Sequence, residues 1–166
     1  MKLFTKTQFK LGMDCPTKLY YSEKDEYVDI SSTDPFLEAL ANGGYQVGEL
    51  AKCEYPQGVE VETHDIYKAY KQTQELLTRD TVEIFEAALV HGSLAARVDI
   101  LMKRERVITL LEVKSKSYDD GTTSFMTKKG SALTSKWAPY LYDIAFQHYI
   151  ASCLFPDFTI ESFLVL

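Results

Sequence analysis

Between Arg97 and Lys114 the chain carries two adjacent apolar strands. Val98, Ile100 and Leu101 lie on one, and Val107, Ile108, Leu110, Leu111 and Val113 lie on the other, with the charged stretch Lys103-Arg104-Glu105-Arg106 between them. Aliphatic, β-branched runs around a short polar turn specify an antiparallel hairpin. With Glu105-Arg106 as a two-residue loop, Arg104 faces Val107 and Asp99 faces Glu112, so the two acids are expected to share one face. Side chains alternate along a strand, which places Glu112 and Lys114 on the same face as each other and turns Val113 to the opposite one. Two carboxylates held together among apolar neighbours repel each other, and a divalent cation relieves that repulsion. Hard oxygen ligands that leave positions for water and a phosphate oxygen fit Mg²⁺ or Mn²⁺. Lys114 beside them is placed to orient or deprotonate an attacking water, or to neutralise charge developing on a phosphate. The hairpin thus reads as a hydrolytic site for phosphodiesters, with a solvated ion pair as the plainer alternative.

The rest of the chain supplies a frame for this hairpin. Residues 4–21 read as a short helical stretch broken around Cys15-Pro16, followed by a polar loop up to Pro35. A helix over about 36–41 is expected to stop at Asn42-Gly43-Gly44, a C-cap and turn signal, and Val47, Leu50 and Ala51 mark another helical turn. Residues 59–62 alternate like a short edge strand, and 65–78 carry apolar residues at helical spacing. A strand over about 82–90 turns at His91-Gly92-Ser93 into the strands at 94–102 and 107–114. A long polar loop with a short helical piece is expected over 116–135, then a helix over 139–154 and a buried strand over 158–166. This order predicts an α/β domain with a central mixed sheet flanked by helices. One domain over 1–166 is expected, and a domain rarely stops inside a strand, so the chain is expected to belong to a longer protein.

Composition narrows the function classes. The 166 residues are 46% apolar and 13% aromatic, enough for a core without disulfide or metal staples. Three widely spaced cysteines, Cys15, Cys53 and Cys153, write neither a disulfide framework nor a zinc site, and reduced cytoplasmic thiols are the simplest reading. Neither a signal peptide nor an apolar run of the ~20 residues that spans a bilayer is present, so no membrane partner is expected. A net charge of −6 argues against binding nucleic acid by bulk charge. Any phosphate recognition must be local, and the stretch 103–136 carries eight basic and four acidic residues. Lys116, Lys128 and Lys129 are its expected phosphate contacts. Tyr20, Tyr21, Tyr140, Tyr142 and Tyr149 are candidates for stacking on unpaired bases, with packing as the competing role. His64 and His91 read as structural or solvent-exposed.

The stretch around Asp99, Glu112 and Lys114 resembles the core of the PD-(D/E)XK nuclease superfamily, and more narrowly the RecB-like nucleases that include the CRISPR adaptation nucleases. Asp99 matches the motif's metal-binding Asp, Glu112 its second acidic ligand and Lys114 its catalytic lysine. Cys15-Pro16-Thr17-Lys18-Leu19-Tyr20-Tyr21 is similar to the family's N-terminal segment, and residues 44–51 to its first conserved helix. Gln147 matches its glutamine motif. Val98 stands where the family usually has proline, and Ala151 where the glutamine motif has tyrosine. Gly48 stands where many relatives carry a metal-binding His, with Glu49 beside it as the acidic substitute. The resemblance implies a restriction-endonuclease-like core and hydrolysis of DNA, single-stranded ends included, in repair or defence. Mg²⁺ or Mn²⁺ would be held by Asp99, Glu112 and Glu49, with Gln147 orienting substrate or the lysine. Some relatives bind an iron–sulfur cluster through the N-terminal Cys and three C-terminal cysteines. Cys15 matches the first and this chain has no C-terminal trio, so no complete cluster is expected. Two rival expectations are a catalytically silent nucleic-acid-binding or assembly module of the same fold, and a metal-dependent hydrolase of small phosphate esters.

Overall fold

A computed structural model describes residues 3–22, 24, 26, 27, 34–121 and 123–166. The fold is α/β, a six-stranded mixed sheet flanked by helices. In chain order the elements are β1 (Phe4–Thr5), α1 (Lys6–Asp14), α2 (Pro16–Ser22), α3 (Pro35–Lys52), β2 (Val59–Glu60) and α4 (Ile66–Leu76). They continue with β3 (Thr81–His91), β4 (Leu94–Arg104), β5 (Val107–Val113), α5 (Ala138–Leu154) and β6 (Thr159–Val165). The main path through the sheet is β2-β3-β4-β5-β6, with β1 added alongside β4. The β3–β4 and β4–β5 pairs are antiparallel, and the β2–β3, β5–β6 and β1–β4 pairs are parallel. Among the described residues no helix is long and apolar enough to cross a membrane.

The hairpin forms in the expected register, with Arg104 against Val107 and Glu105 in the left-handed region at φ 53°. Its ladder ends at Ile100 against Leu111. Strand β3 covers one edge of β4 along nearly its whole length, so β1 and β5 must share the other edge. β1 pairs with Leu94 and Ala95, while β5 pairs with 100–104. The short gap between them contains Asp99. Whatever leaves the end of β1 and whatever leaves the end of β5 meet beside that gap, and the first residue after β1 is Lys6.

Two apolar layers cover the sheet. The larger, against α4 and α5, holds Ile84, Leu89, Val98, Leu101, Leu110 and Ile150. The smaller joins Phe85, Ile100, Leu111 and Val113 to Val47 and Ala51 of α3. The alternation between layers changes phase at one place in both β3 and β4. Val82 and Ile84 face the larger layer before Glu86, and Ala87 and Leu89 face it after; Leu101 and Val98 show the same change across Asp99. Glu86 and Asp99 lie opposite each other between the paired positions Phe85–Ile100 and Ala87–Val98, and both drop out of the ladder. Glu86 takes φ 54°, a conformation rare outside glycine. Its carbonyl accepts from Arg97 Nη1 at 2.7 Å.

Several expected elements are corrected. Helix α3 runs unbroken through Asn42-Gly43-Gly44. Asp34 caps its start by accepting from Phe36 N at 2.9 Å, and Pro35 opens its first turn. Val47 and Ala51 pack its second half on the sheet, and these gains outweigh a helix cost of roughly 1 kcal/mol per glycine. The 116–135 stretch contains no helical piece among its described residues, only an isolated bridge between Met126 and Leu133. Strand β6 lies at the sheet edge, and Phe163 points into solvent. On α5, Tyr149 and Ala145 are exposed, and the buried side carries Asp143, Ile144, Phe146, Gln147, Ile150 and Ala151. The expected polar loop before Pro35 falls largely outside the described residues.

Candidate metal and catalytic centre

Asp99 lies where β4 loses its partner. Its Oδ2 accepts from the backbone N–H of Val113 at 2.7 Å, so a side chain supplies the acceptor beyond the end of the ladder. Asp99 also lines a cleft of about 310 Å³ between α3 and the sheet, with Gly44, Gly48, Glu49, Glu86 and Lys114 among the other lining residues. Nothing lies within 4 Å of where a Cβ on Gly44 or Gly48 would stand, so this stretch of α3 is bare backbone over the cleft.

Glu112 is fully buried at 0% exposure, on the side of the sheet covered by α1 and α5. The phase change at Asp99 thus modifies the expected common face: Asp99 reaches the cleft, whereas Glu112 is enclosed behind the sheet. Its carboxylate is held by three side chains. Lys6 Nζ lies 3.1 Å from both oxygens, Gln147 Nε2 donates to Oε2 at 2.5 Å, and Lys114 donates to Oε1. Lys114 also lies 3.6 Å from Oδ2 of Asp143, which pairs with Lys10 at 2.9 Å. Lys114 thus bridges Glu112 and Asp143 behind the sheet, with Lys6 on the first and Lys10 on the second, while Asp99 stands on the cleft side.

The sequence reading missed Lys6, Lys10, Asp143 and Glu86. Lys6 and Lys10 stand four residues apart on α1, as Asp143 and Gln147 do on α5, so each pair faces one way. A buried Asp four positions before a buried Gln was the signal for Asp143. Lys6 gave none, because its position depends on a two-residue parallel strand.

Burial, with Glu112 next to it, pushes the Asp99 carboxyl up to about 6. Burial pushes Glu112 in the same direction, but the Lys6 and Lys114 ammoniums outweigh it and hold Glu112 below the usual carboxylate range. Burial would lower Lys114, and Glu112 overrides it, so Lys114 stays an ammonium at neutral pH. Burial raises Asp143.

The remaining expected residues lie further out. Glu49 lines the same cleft, but its carboxylate is bonded to Lys52 at 2.8 Å and its side chain is 71% exposed. Lys116 donates to the Lys136 carbonyl at 2.7 Å and lies over Trp137 and Tyr140, at 4.5 and 4.2 Å from their ring centres. Its ammonium is thus engaged within its own loop and by the aromatic faces beside it. Lys128 and Lys129 are exposed on the same loop. Tyr149 is exposed on α5, while Tyr140 and Tyr142 are half-buried. Tyr20 and Tyr21 form an exposed edge-to-face pair. Cys15 ends α1, and the backbone N–H groups of Lys18 and Thr17 hold its thiol below the usual range. All three cysteines are free thiols.

The donors at this centre are oxygens. The candidate ligands are the Asp99 and Glu112 carboxylates; Asp143 Oδ1 and Gln147 Oε1 nearby are buried acceptors with no hydrogen-bond partner among the described residues. That donor chemistry fits Mg²⁺ or Mn²⁺, and Mg²⁺ is commonly held through one or two carboxylates with waters completing the shell. It does not form an all-protein cage: among the described residues no three His, Cys, Asp or Glu side chains gather into a metal-binding group. Glu49, the expected third ligand, stands at the mouth of the same cleft in an ion pair with Lys52. No family model, curated protein or solved structure matches this chain.

Proposed function

We propose that this chain is a metal-dependent phosphodiesterase acting on DNA, with a restriction-endonuclease-like core of the PD-(D/E)XK type. The observation that carries this reading is that Lys114 and, from the following helix, Gln147 both bond Glu112 beside Asp99, whose carboxyl feels the charges of Glu112 and Lys114. Asp99 and Glu112 would hold Mg²⁺ or Mn²⁺, which when bound would polarise a phosphate oxygen and lower the pKa of a bound water. Lys114 is an ammonium that faces both Glu112 and the cleft. That charge state suits it to stabilising negative charge on the phosphate rather than to taking a proton from water. Gln147 fixes the direction of the Glu112 carboxylate. The cleft admits a backbone against Gly44 and Gly48, and Lys128 and Lys129 lie on the loop that links β5 to α5. Lys114→Met is the test: the account expects loss of Mn²⁺-dependent DNA cleavage with the fold retained, and undiminished cleavage would contradict it.

One observation favours a second reading, a catalytically silent nucleic-acid-binding module. Both Glu112 oxygens are engaged by Lys6, Lys114 and Gln147, and such a network can serve the fold alone. A silent module would bind DNA without cleaving it, and would show no thermal shift with Mn²⁺ that depends on Asp99 and Glu112.

A further inference from the structure

Lys6 does more than neutralise Glu112. Its ammonium is equidistant, at 3.1 Å, from both carboxylate oxygens, and so straddles the edge that a cation bound by both oxygens would use. Lys114 touches only Oε1 and also lies near Asp143. An ammonium and a divalent cation cannot both sit on that edge, because like charges a few ångströms apart in a dry site repel strongly. The position of Lys6 is set by the backbone: Thr5 closes β1 and caps α1 reciprocally with Gln8. The side chain is 19% exposed, so Lys6 stands at the boundary between the core and solvent.

A second seat exists nearby. Asp143 is fully buried, Lys10 and Lys114 both approach its Oδ2, and its Oδ1 has no hydrogen-bond partner among the described residues. A buried acceptor without a donor is costly and waits for one. Asp143 is a neighbour of Glu112 through Lys114, which reaches both, and through Lys10, one turn along α1 from Lys6, which holds Asp143.

Resting on the metal site proposed above, we infer that Lys6 is an internal cation which occupies Glu112 in the metal-free protein and moves to Asp143 Oδ1 when a divalent cation binds. The α1 lysine thus makes the site self-capped, holding the Glu112 carboxylate in place while no metal is present. The cost of displacing it sets a threshold on metal concentration.

The test is Mn²⁺ titration by calorimetry of the full chain and of Lys6→Met, Asp143→Asn and the double variant, with Glu112→Gln as the control. Lys6→Met should bind Mn²⁺ more tightly by on the order of tenfold, the scale of changes next to metal ligands. Asp143→Asn should weaken binding in the native background and do much less once Lys6 is gone. Glu112-dependent binding that Lys6→Met leaves unchanged or weakens would overturn the inference and spare the metal site. No Glu112-dependent binding in either background would overturn both. Should the variants not fold, the ¹⁵N signal of the Lys6 ammonium, assigned through its own side-chain resonances in the native protein, reports on the displacement. It should shift on Mg²⁺ saturation, and an unmoved signal would overturn the displacement.

Discussion

Gln147 Nε2 donates to Glu112 Oε2 at 2.5 Å across a fully buried contact between α5 and β5, one helical turn beyond Asp143. The amide satisfies one oxygen of a carboxylate that has no access to water. Replacing it separates two effects. Gln147→Ala leaves Oε2 to Lys6 alone and is expected to cost about 1–2 kcal/mol in urea unfolding, the usual penalty for an under-satisfied buried acceptor. Gln147→Glu sets a second carboxylate against Glu112 and is expected to destabilise more, increasingly as the pH is raised from 5 to 8. Equal stability of Gln147→Glu and the native chain at pH 8 would show that this contact does not orient Glu112.

Asp99 makes the pH dependence unusual for a carboxylate. An acid whose folded pKa lies above its unfolded value binds its proton more tightly when folded, so ionisation weakens the fold as pH rises. For Asp99 the window runs from 3.8 to about 6. The expected loss across it is about 3 kcal/mol in EDTA. Glu112 acts in the opposite sense: its lowered pKa gives stability that is present above its unfolded value and lost as pH falls through the folded one. Asp99→Asn should therefore be more stable than the native chain at pH 8 and lose that advantage towards pH 4, measured as urea midpoints. A native advantage at pH 8 would place Asp99 in an unstrained, solvated setting.

The glycines of α3 give a test of the helix itself. Gly43 is helical and has nothing within 4 Å of an added Cβ, so Gly43→Ala should stabilise the protein by about 0.5–1 kcal/mol in thermal or urea unfolding. Were residues 42–44 a turn with left-handed backbone, the same change would destabilise it.

How far the sequence carried the account depends on how local each feature is. The β4–β5 hairpin, α4 and α5 were legible because strand alternation, turn chemistry and helical spacing act within a few residues. The register that sets Arg104 against Val107 follows from the Glu105-Arg106 loop alone. Asn42-Gly43-Gly44 misled because its weak helix propensity is overridden by packing from Val47 and Ala51, which no local signal announces. Within the site, Asp99, Glu112, Lys114 and Gln147 were legible as residues, but the division between cleft and interior was not. It arises from the paired phase change at Glu86 and Asp99 in neighbouring strands. Lys6 was out of reach because only the β1–β4 pairing brings it to Glu112, 106 positions away.

The central claim is metal-dependent hydrolysis of DNA at Asp99 and Glu112. Its most direct test is incubation of end-labelled single- and double-stranded DNA with the full chain in Mn²⁺, Mg²⁺ or EDTA, beside Asp99→Asn and Glu112→Gln shown to be folded. Shortened products that need the metal and vanish in both variants are the predicted result. DNA that is bound but left intact in every metal, or cut equally by the variants, would contradict it.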